Sequence, residues 1–138
     1  MAKTLRLEIV TPDAKTYSDD VDYVLVPGAE GDMGIFPEHV PLLSKLLPGE
    51  LVVKKGDEVH RLAVGEGFVE ITNKSVSVLT DMALNADDID EDAVQEAIKS
   101  AKEAMKNESL SKEQSAAFQA TIQKSLAQLH VKRRRRSI

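Results

Sequence analysis

From residue 82 to residue 130 the chain contains neither glycine nor proline, while the residues before that stretch are punctuated by both. These two residues are the least tolerated inside a helix, glycine for its backbone entropy and proline for its missing N–H. So long a run without either predicts helix, and the change of composition near residue 82 predicts a different architecture upstream. The chain is therefore expected to be α+β, with strands first and helices last.

The upstream part reads as many short strands. Leu5 to Val10 alternates apolar and polar residues, the period of a sheet with one wet face. Val21 to Val26 is rich in β-branched residues and runs into the turn pair Pro27-Gly28. Gly28, Gly31 and Gly34 then recur at every third position, which suggests a loop and a short kinked strand ahead of Ile35-Phe36-Pro37. Pro41 and Pro48-Gly49 bracket what reads as a further turn region. Glu50 to Lys55 and Val59 to Val64 flank Gly56-Asp57, a hairpin signal, and Phe68 to Ile71 and Ser75 to Leu79 flank Asn73-Lys74. Such spacing implies a sandwich or a barrel and not a parallel α/β sheet.

Two helices are expected downstream. The first opens at the acidic run Asp87 to Asp92, where Asp88 or Asp90 can cap and the carboxylates meet the positive end of the helix dipole. Ser111-Lys112-Glu113-Gln114 is a capping box opening the second helix, which is expected to reach at least His130. Val94, Ile98, Ala101 and Met105 form an apolar stripe on the first helix, and Phe118, Ile122, Leu126 and Leu129 on the second. Alanines flank both stripes. A buried alanine methyl contributes roughly 0.8 kcal/mol, against on the order of 1–2 kcal/mol of backbone entropy for each residue ordered. The pair is expected to be weakly held.

No catalytic or cofactor constellation accompanies these elements. His39, His60 and His130 are scattered, without a Gly-x-Ser-x-Gly elbow or a second histidine at ligand spacing, and His60 reads as a solvent-facing strand residue. There is no phosphate-binding loop, and the Gly28/Gly31/Gly34 spacing does not match the dinucleotide fingerprint. Asp88-x-Asp90-x-Asp92 mimics the start of a calcium loop, but Ala93 and Lys99 stand where that loop needs its glycine and its bidentate glutamate. With no cysteine, disulfides and thiolate metal sites are excluded. No enzyme activity, cofactor or metal is expected.

The net charge of −5 conceals a strong asymmetry: the last eight residues carry Lys132, Arg133, Arg134, Arg135 and Arg136 and no acid. Three readings suit this tail: a nucleic-acid or anionic-lipid patch, a docking strip for an acidic protein surface, or a solvated end. No aromatic interleaves with the arginines to stack bases, and the remaining surface is acidic. The start of the chain lacks a signal-peptide pattern, and no run approaches the ~20 apolar residues of a membrane span. Membrane association is expected only through a partner.

The segment Val24 to Leu43, with its Pro27-Gly28, Gly31, Gly34-Ile35-Phe36-Pro37, His39 and Pro41-Leu42-Leu43, closely resembles the signature of the epsilon subunit of F-type ATP synthases. The agreement continues through Leu47-Pro48-Gly49, Gly65 to Glu70 and Val76 to Asp81, and covers essentially the whole chain. The resemblance implies an antiparallel β-sandwich of about ten strands over residues 1–86 and an antiparallel helix-loop-helix hairpin over 87–138. It implies a non-catalytic rotor subunit that joins gamma to the c-subunit ring and restrains ATP hydrolysis through a mobile hairpin. Gly28, Glu30, Gly31, Asp32 and Gly34 correspond to the ring-facing loop, and His39, Pro41, Leu42 and Leu43 to the gamma-facing side. Lys124, Lys132 and Arg133 to Arg136 correspond to the cations that latch onto an acidic segment of the catalytic beta subunit, a contact expected to weaken with salt. The alpha/beta hexamer is thereby a partner and nucleic acid is not; a free-standing nucleic-acid module remains the alternative. The implied location is peripheral, on the cytoplasmic face of a bacterial membrane, with the plastid thylakoid as the second choice.

Some members of that family bind ATP through Ile or Leu, Asp, two variable residues, Arg and Ala at the start of the first helix. This chain reads Ile89-Asp90-Glu91-Asp92-Ala93-Val94, with the phosphate-pairing arginine missing and carboxylates added. ATP binding is expected to be weak or absent in isothermal titration of the full chain. A micromolar dissociation constant would contradict this.

Overall fold

A computed structural model describes residues 3–13 and 15–136. Ten strands come first: β1 Leu5–Val10, β2 Lys15–Val21, β3 Tyr23–Gly28, β4 Gly31–Ile35, β5 Leu42–Leu46, β6 Gly49–Lys55, β7 Glu58–Val64, β8 Gly67–Ile71, β9 Ser75–Thr80 and β10 Ala83–Asn85. A 3-10 turn, Ala86–Asp88, leads into helices α1 Glu91–Ala104 and α2 Lys112–Arg136.

The strands follow the order β10-β7-β6-β3-β5-β8-β9-β1-β2, with β4 paired to β3. The sheet folds over itself at β3. Tyr23 to Leu25 pair with β6, but at Gly28 the strand passes to β5 through Leu46. Pro27 sits at this switch, where it needs no donor: its carbonyl accepts from Leu47 N at 2.9 Å. The other end of the sheet closes beside β6, where Lys55 donates to Asp19 on β2 and Asp22 N donates to Lys54 O at 2.9 Å. That hydrogen bond holds the Asp19 carboxyl below its usual range and the Lys55 ammonium above its own. Burial is the main cause that raises the Tyr17 phenol nearby.

Alternation along each strand fills the space between the two layers. Leu5, Leu7 and Ile9 of β1 point inward, as do Val69 and Ile71 of β8 and Val76 and Val78 of β9. Sixteen buried residues form this core, all but two of them Val or Ile or Leu with no exposed surface. Close approach is needed at Gly67, where a Cβ would fall on the Leu79 carbonyl. The Gly56 turn joins β6 and β7 with a φ of 60°, as its hairpin signal predicts.

Three strand regions depart from the sequence reading. β2, Lys-Thr-Tyr-Ser-Asp-Asp-Val, is too polar to announce itself, and it is formed because β1 offers it a complete antiparallel partner. Gly28 to Gly34 is a tight hairpin of β3 and β4 with only Ala29-Glu30 at its tip, not a loop. The residues between Pro41 and Pro48 form β5, not a turn region, because β8 pairs with all of Leu42 to Leu46. One pairing is not antiparallel: β1 runs parallel to β9.

Both helix starts follow their local chemistry. Asp90, the second of the two expected caps, accepts from Ala93 N at 3.2 Å. The capping box closes in both directions: Gln114 N donates to Ser111 Oγ at 3.1 Å, and Ser111 N to Gln114 Oε1 at 2.9 Å.

Candidate functional site

The β3–β4 hairpin presents its tip to solvent. Ala29, Glu30, Gly31 and Asp32 are exposed, whereas Gly28 is buried against Met33 at the base. Gly31 has a φ of 119°, which favours glycine, and Gly34 lies under the Tyr23 ring, where a Cβ would stand 2.6 Å from the phenol oxygen. Strand β4 separates this tip from the next exposed segment by about 17 Å at strand rise.

That second segment is apolar and uncovered. Val40 and Leu43 are 74% and 67% exposed, and Leu42 43%. His39 is half-buried, with its Nδ1 2.7 Å from the Val40 carbonyl, and Pro41 is exposed. Glu38 turns the chain here with a positive φ of 68°, tied by its N–H to Asn73 O and by its carboxylate to Lys3. On the outer face of the sheet Phe68 pairs across to Leu79, and both are more than half exposed. The hairpin tip and this segment are therefore two surfaces at opposite ends of β4.

The third surface is the seam under α2. Helix α1 packs chiefly on α2, and α2 lies on β6, β7 and the 3-10 turn. Ala63, Ala86, Ile89, Val94, Ile98, Leu129 and Val131 form a small second core there. The expected stripe on α2 is corrected at one position: Leu126 is 44% exposed, while Ser125, Ala127 and Val131 are buried. The helix buries a wide arc because it contacts both α1 and the sheet, so a stripe drawn for one partner misplaces Leu126.

Cations line the same seam. Lys124 Nζ lies 2.7 Å from Asp81 Oδ2, and Lys132 Nζ donates to the Ala86 carbonyl at 3.1 Å. Arg133 Nε lies 3.0 Å from Glu91 Oε1, and Arg134 Nη1 3.4 Å from Glu50 Oε1. Arg61 donates to the same Glu50 oxygen at 3.0 Å, while Glu50 Oε2 is buried with no hydrogen-bond partner. The side chains of Arg135 and Arg136 lie outside the described residues. The acceptors Asp81, Glu50 and Glu91 escaped the sequence reading. Only one carried a signal: the Gly56 hairpin register puts Glu50 and Arg61 in diagonal positions on one face of β6 and β7.

The residues that would carry a nucleotide motif are otherwise employed. Ile89 and Val94 are buried in the second core, Asp90 caps α1, and Ala93 is exposed. The cleft beside the 3-10 turn is lined by Glu58, Asp87 and Asp88, which would repel a polyphosphate. His60 is exposed on this cleft, 3.3 Å from Glu58, as a solvent-facing residue.

A strand sandwich with two exposed binding segments, carrying a docked helix pair, defines a binding and regulatory subunit. The model of the "ATP synthase, Delta/Epsilon chain, beta-sandwich domain" matches residues 4–86. An ATP synthase epsilon chain of Nitratidesulfovibrio vulgaris (strain DP4) is 40% identical over 132 residues, 96% of this chain and 98% of that one. One from Dehalococcoides mccartyi (strain BAV1) is 39% identical over 136 residues, 99% of this chain and 96% of that one. A chain in the Euglena gracilis mitochondrial ATP synthase, OSCP/F1/c-ring, shares the fold with a TM-score of 0.78 at 18% identity, over 92% of this chain and 80% of that one. The chain belongs to the family of ATP synthase epsilon chains. Among its described residues no helix is long and apolar enough to cross a membrane.

Because α2 reaches the sheet through few residues, Leu129→Ala should free it selectively. A loss of about 2–3 kcal/mol at this buried leucine should speed tryptic cleavage at Lys112 and Lys124 by on the order of thirtyfold or more. Unfolding of the strands should move little. Equal loss of strand stability would show that helices and sandwich are a single cooperative unit.

Proposed function

We propose that this chain is a central-stalk subunit of an F-type ATP synthase, joining gamma to the c-subunit ring, and that its helix pair restrains ATP hydrolysis. The observation that carries the regulatory half is the seam: α2 is docked through a small apolar core and through cations that an acidic partner can also take. An element held this way has arrangements separated by only a few kcal/mol, so modest differential contacts shift it.

In this reading the sandwich, residues 1–86, is the assembly module and residues 87–138 are the regulatory one. The tip formed by Gly28, Glu30, Gly31, Asp32 and Gly34 faces the ring, where a rigid two-residue turn can bear on the ends of membrane helices. His39, Pro41, Leu42 and Leu43 face gamma, which suits the exposure of Leu42 and Leu43 and the neighbouring Val40. On release, Lys124, Lys132 and Arg133 to Arg136 engage an acidic segment of the beta subunit within the alpha/beta hexamer. The subunit is peripheral, on the cytoplasmic face of a bacterial membrane, and is accessory to a catalytic complex without catalysing a reaction itself. A nucleic-acid reading of the tail is disfavoured by the acidic acceptors that already hold Lys124, Arg133 and Arg134.

Deleting residues 88–138 should leave assembly with gamma and the ring intact, since both proposed contacts lie in the strands. The truncated complex should hydrolyse ATP faster, by at least about fivefold if the restraint has an ordinary coupling energy. Unchanged hydrolysis would remove the inhibitory role and leave the stalk role standing.

A further inference from the structure

Four basic residues within eleven positions of α2 each find an acceptor away from their own helix. Lys124 reaches Asp81 after β9, Lys132 the carbonyl of Ala86, Arg133 the first residue of α1, Glu91, and Arg134 the β6 residue Glu50. The acceptors come from four separate elements, yet together they form one strip along about 15 Å of helix. The strip presents carboxylates and a carbonyl, the groups that an acidic protein surface would also present to these cations.

We propose that Asp81, Glu91 and Glu50 act as an internal decoy for the acidic partner surface, so that docking and latching compete for the same cations. This rests on the reading that released α2 engages an acidic segment of the motor. A lysine or arginine held at short range by one carboxylate has to leave it to serve another at full strength, so the internal acceptors oppose inhibition even though they never touch the partner. Their removal therefore has the opposite sign to removal of the cations.

Glu50 is the acceptor built to let go. Its Oε1 is shared between Arg61 and Arg134, with Arg134 the more distant at 3.4 Å, and its Oε2 is buried without a partner. When α2 lifts, Arg61 stays on β7 to neutralise Glu50, and Oε2 regains water. Asp81 and Glu91 have no such second arginine among the ion pairs, and they hold Lys124 and Arg133 at 2.7 and 3.0 Å. Release thus begins at the tail and meets its main resistance at Asp81 and Glu91. Salt screens both arrangements and cannot separate them, whereas the sign of a substitution can.

The test uses two near-isosteric double variants of the full chain, Asp81→Asn with Glu91→Gln and Lys124→Gln with Arg133→Gln. Energy transfer between dyes on β9 and α2 reports docking in the isolated chain, and ATP hydrolysis reports latching in the assembled soluble complex. Both variants should raise the undocked population, by roughly two- to tenfold for two partly exposed pairs. In the complex the carboxylate variant should hydrolyse ATP more slowly than wild type and the lysine–arginine variant faster. If the carboxylate variant hydrolyses at the wild-type rate or faster while deletion of residues 88–138 still relieves inhibition, the decoy is wrong and the latch stands. If that deletion has no effect, both fall together. Should the carboxylate pair unfold the strands, Asp81→Asn alone carries the same sign test.

Discussion

The contact between α2 and the sheet decides how the rest of the molecule can behave. Only Leu129 and Val131 of α2 enter the second core, and full burial of two such side chains contributes about 3–6 kcal/mol before any ordering cost. Everything else at that contact is alanine methyls, a methionine sulfur taking a hydrogen bond from Gln128, and ion pairs that water can replace. Such a contact is large enough to be populated and small enough to be broken. The strand domain is built on other terms, with sixteen buried residues filling the space between its two layers. One chain thus holds a permanent part and a conditional one, joined by the short 3-10 turn Ala86–Asp88.

The electrostatics follow the same division. Within the strands, charged pairs such as Asp19 with Lys55 tie sheet edges together and have no reason to separate. Under α2 every printed ion pair crosses between the helix and something it can leave. The acidic balance of the chain outside its tail therefore has a structural sense: it supplies a resting place for a helix end that would otherwise be a naked run of positive charge.

Much of this was legible in the residues. The absence of glycine and proline after residue 82, the Ser111–Gln114 box and the Gly56 turn each act through local backbone chemistry, and each appears where its pattern predicts. What stayed hidden was set by partners distant in sequence. β2 and β5 are strands because β1 and β8 complete their ladders, and a polar stretch such as Thr16 to Asp20 carries no period to reveal it. Leu126 was misplaced because α2 has two neighbours, a tertiary fact. Asp81 and Glu91 look like ordinary surface acids and gain meaning only when α2 is laid across them.

The central claim is that α2 opens independently of the strands it lies on, and amide hydrogen exchange on the whole assembled complex tests it most directly. The account predicts that α2 amides exchange orders of magnitude faster than those of β8 and β9, and that the gap changes between resting and hydrolysing conditions. Protection of α2 equal to that of β8 and β9 under both conditions would contradict it.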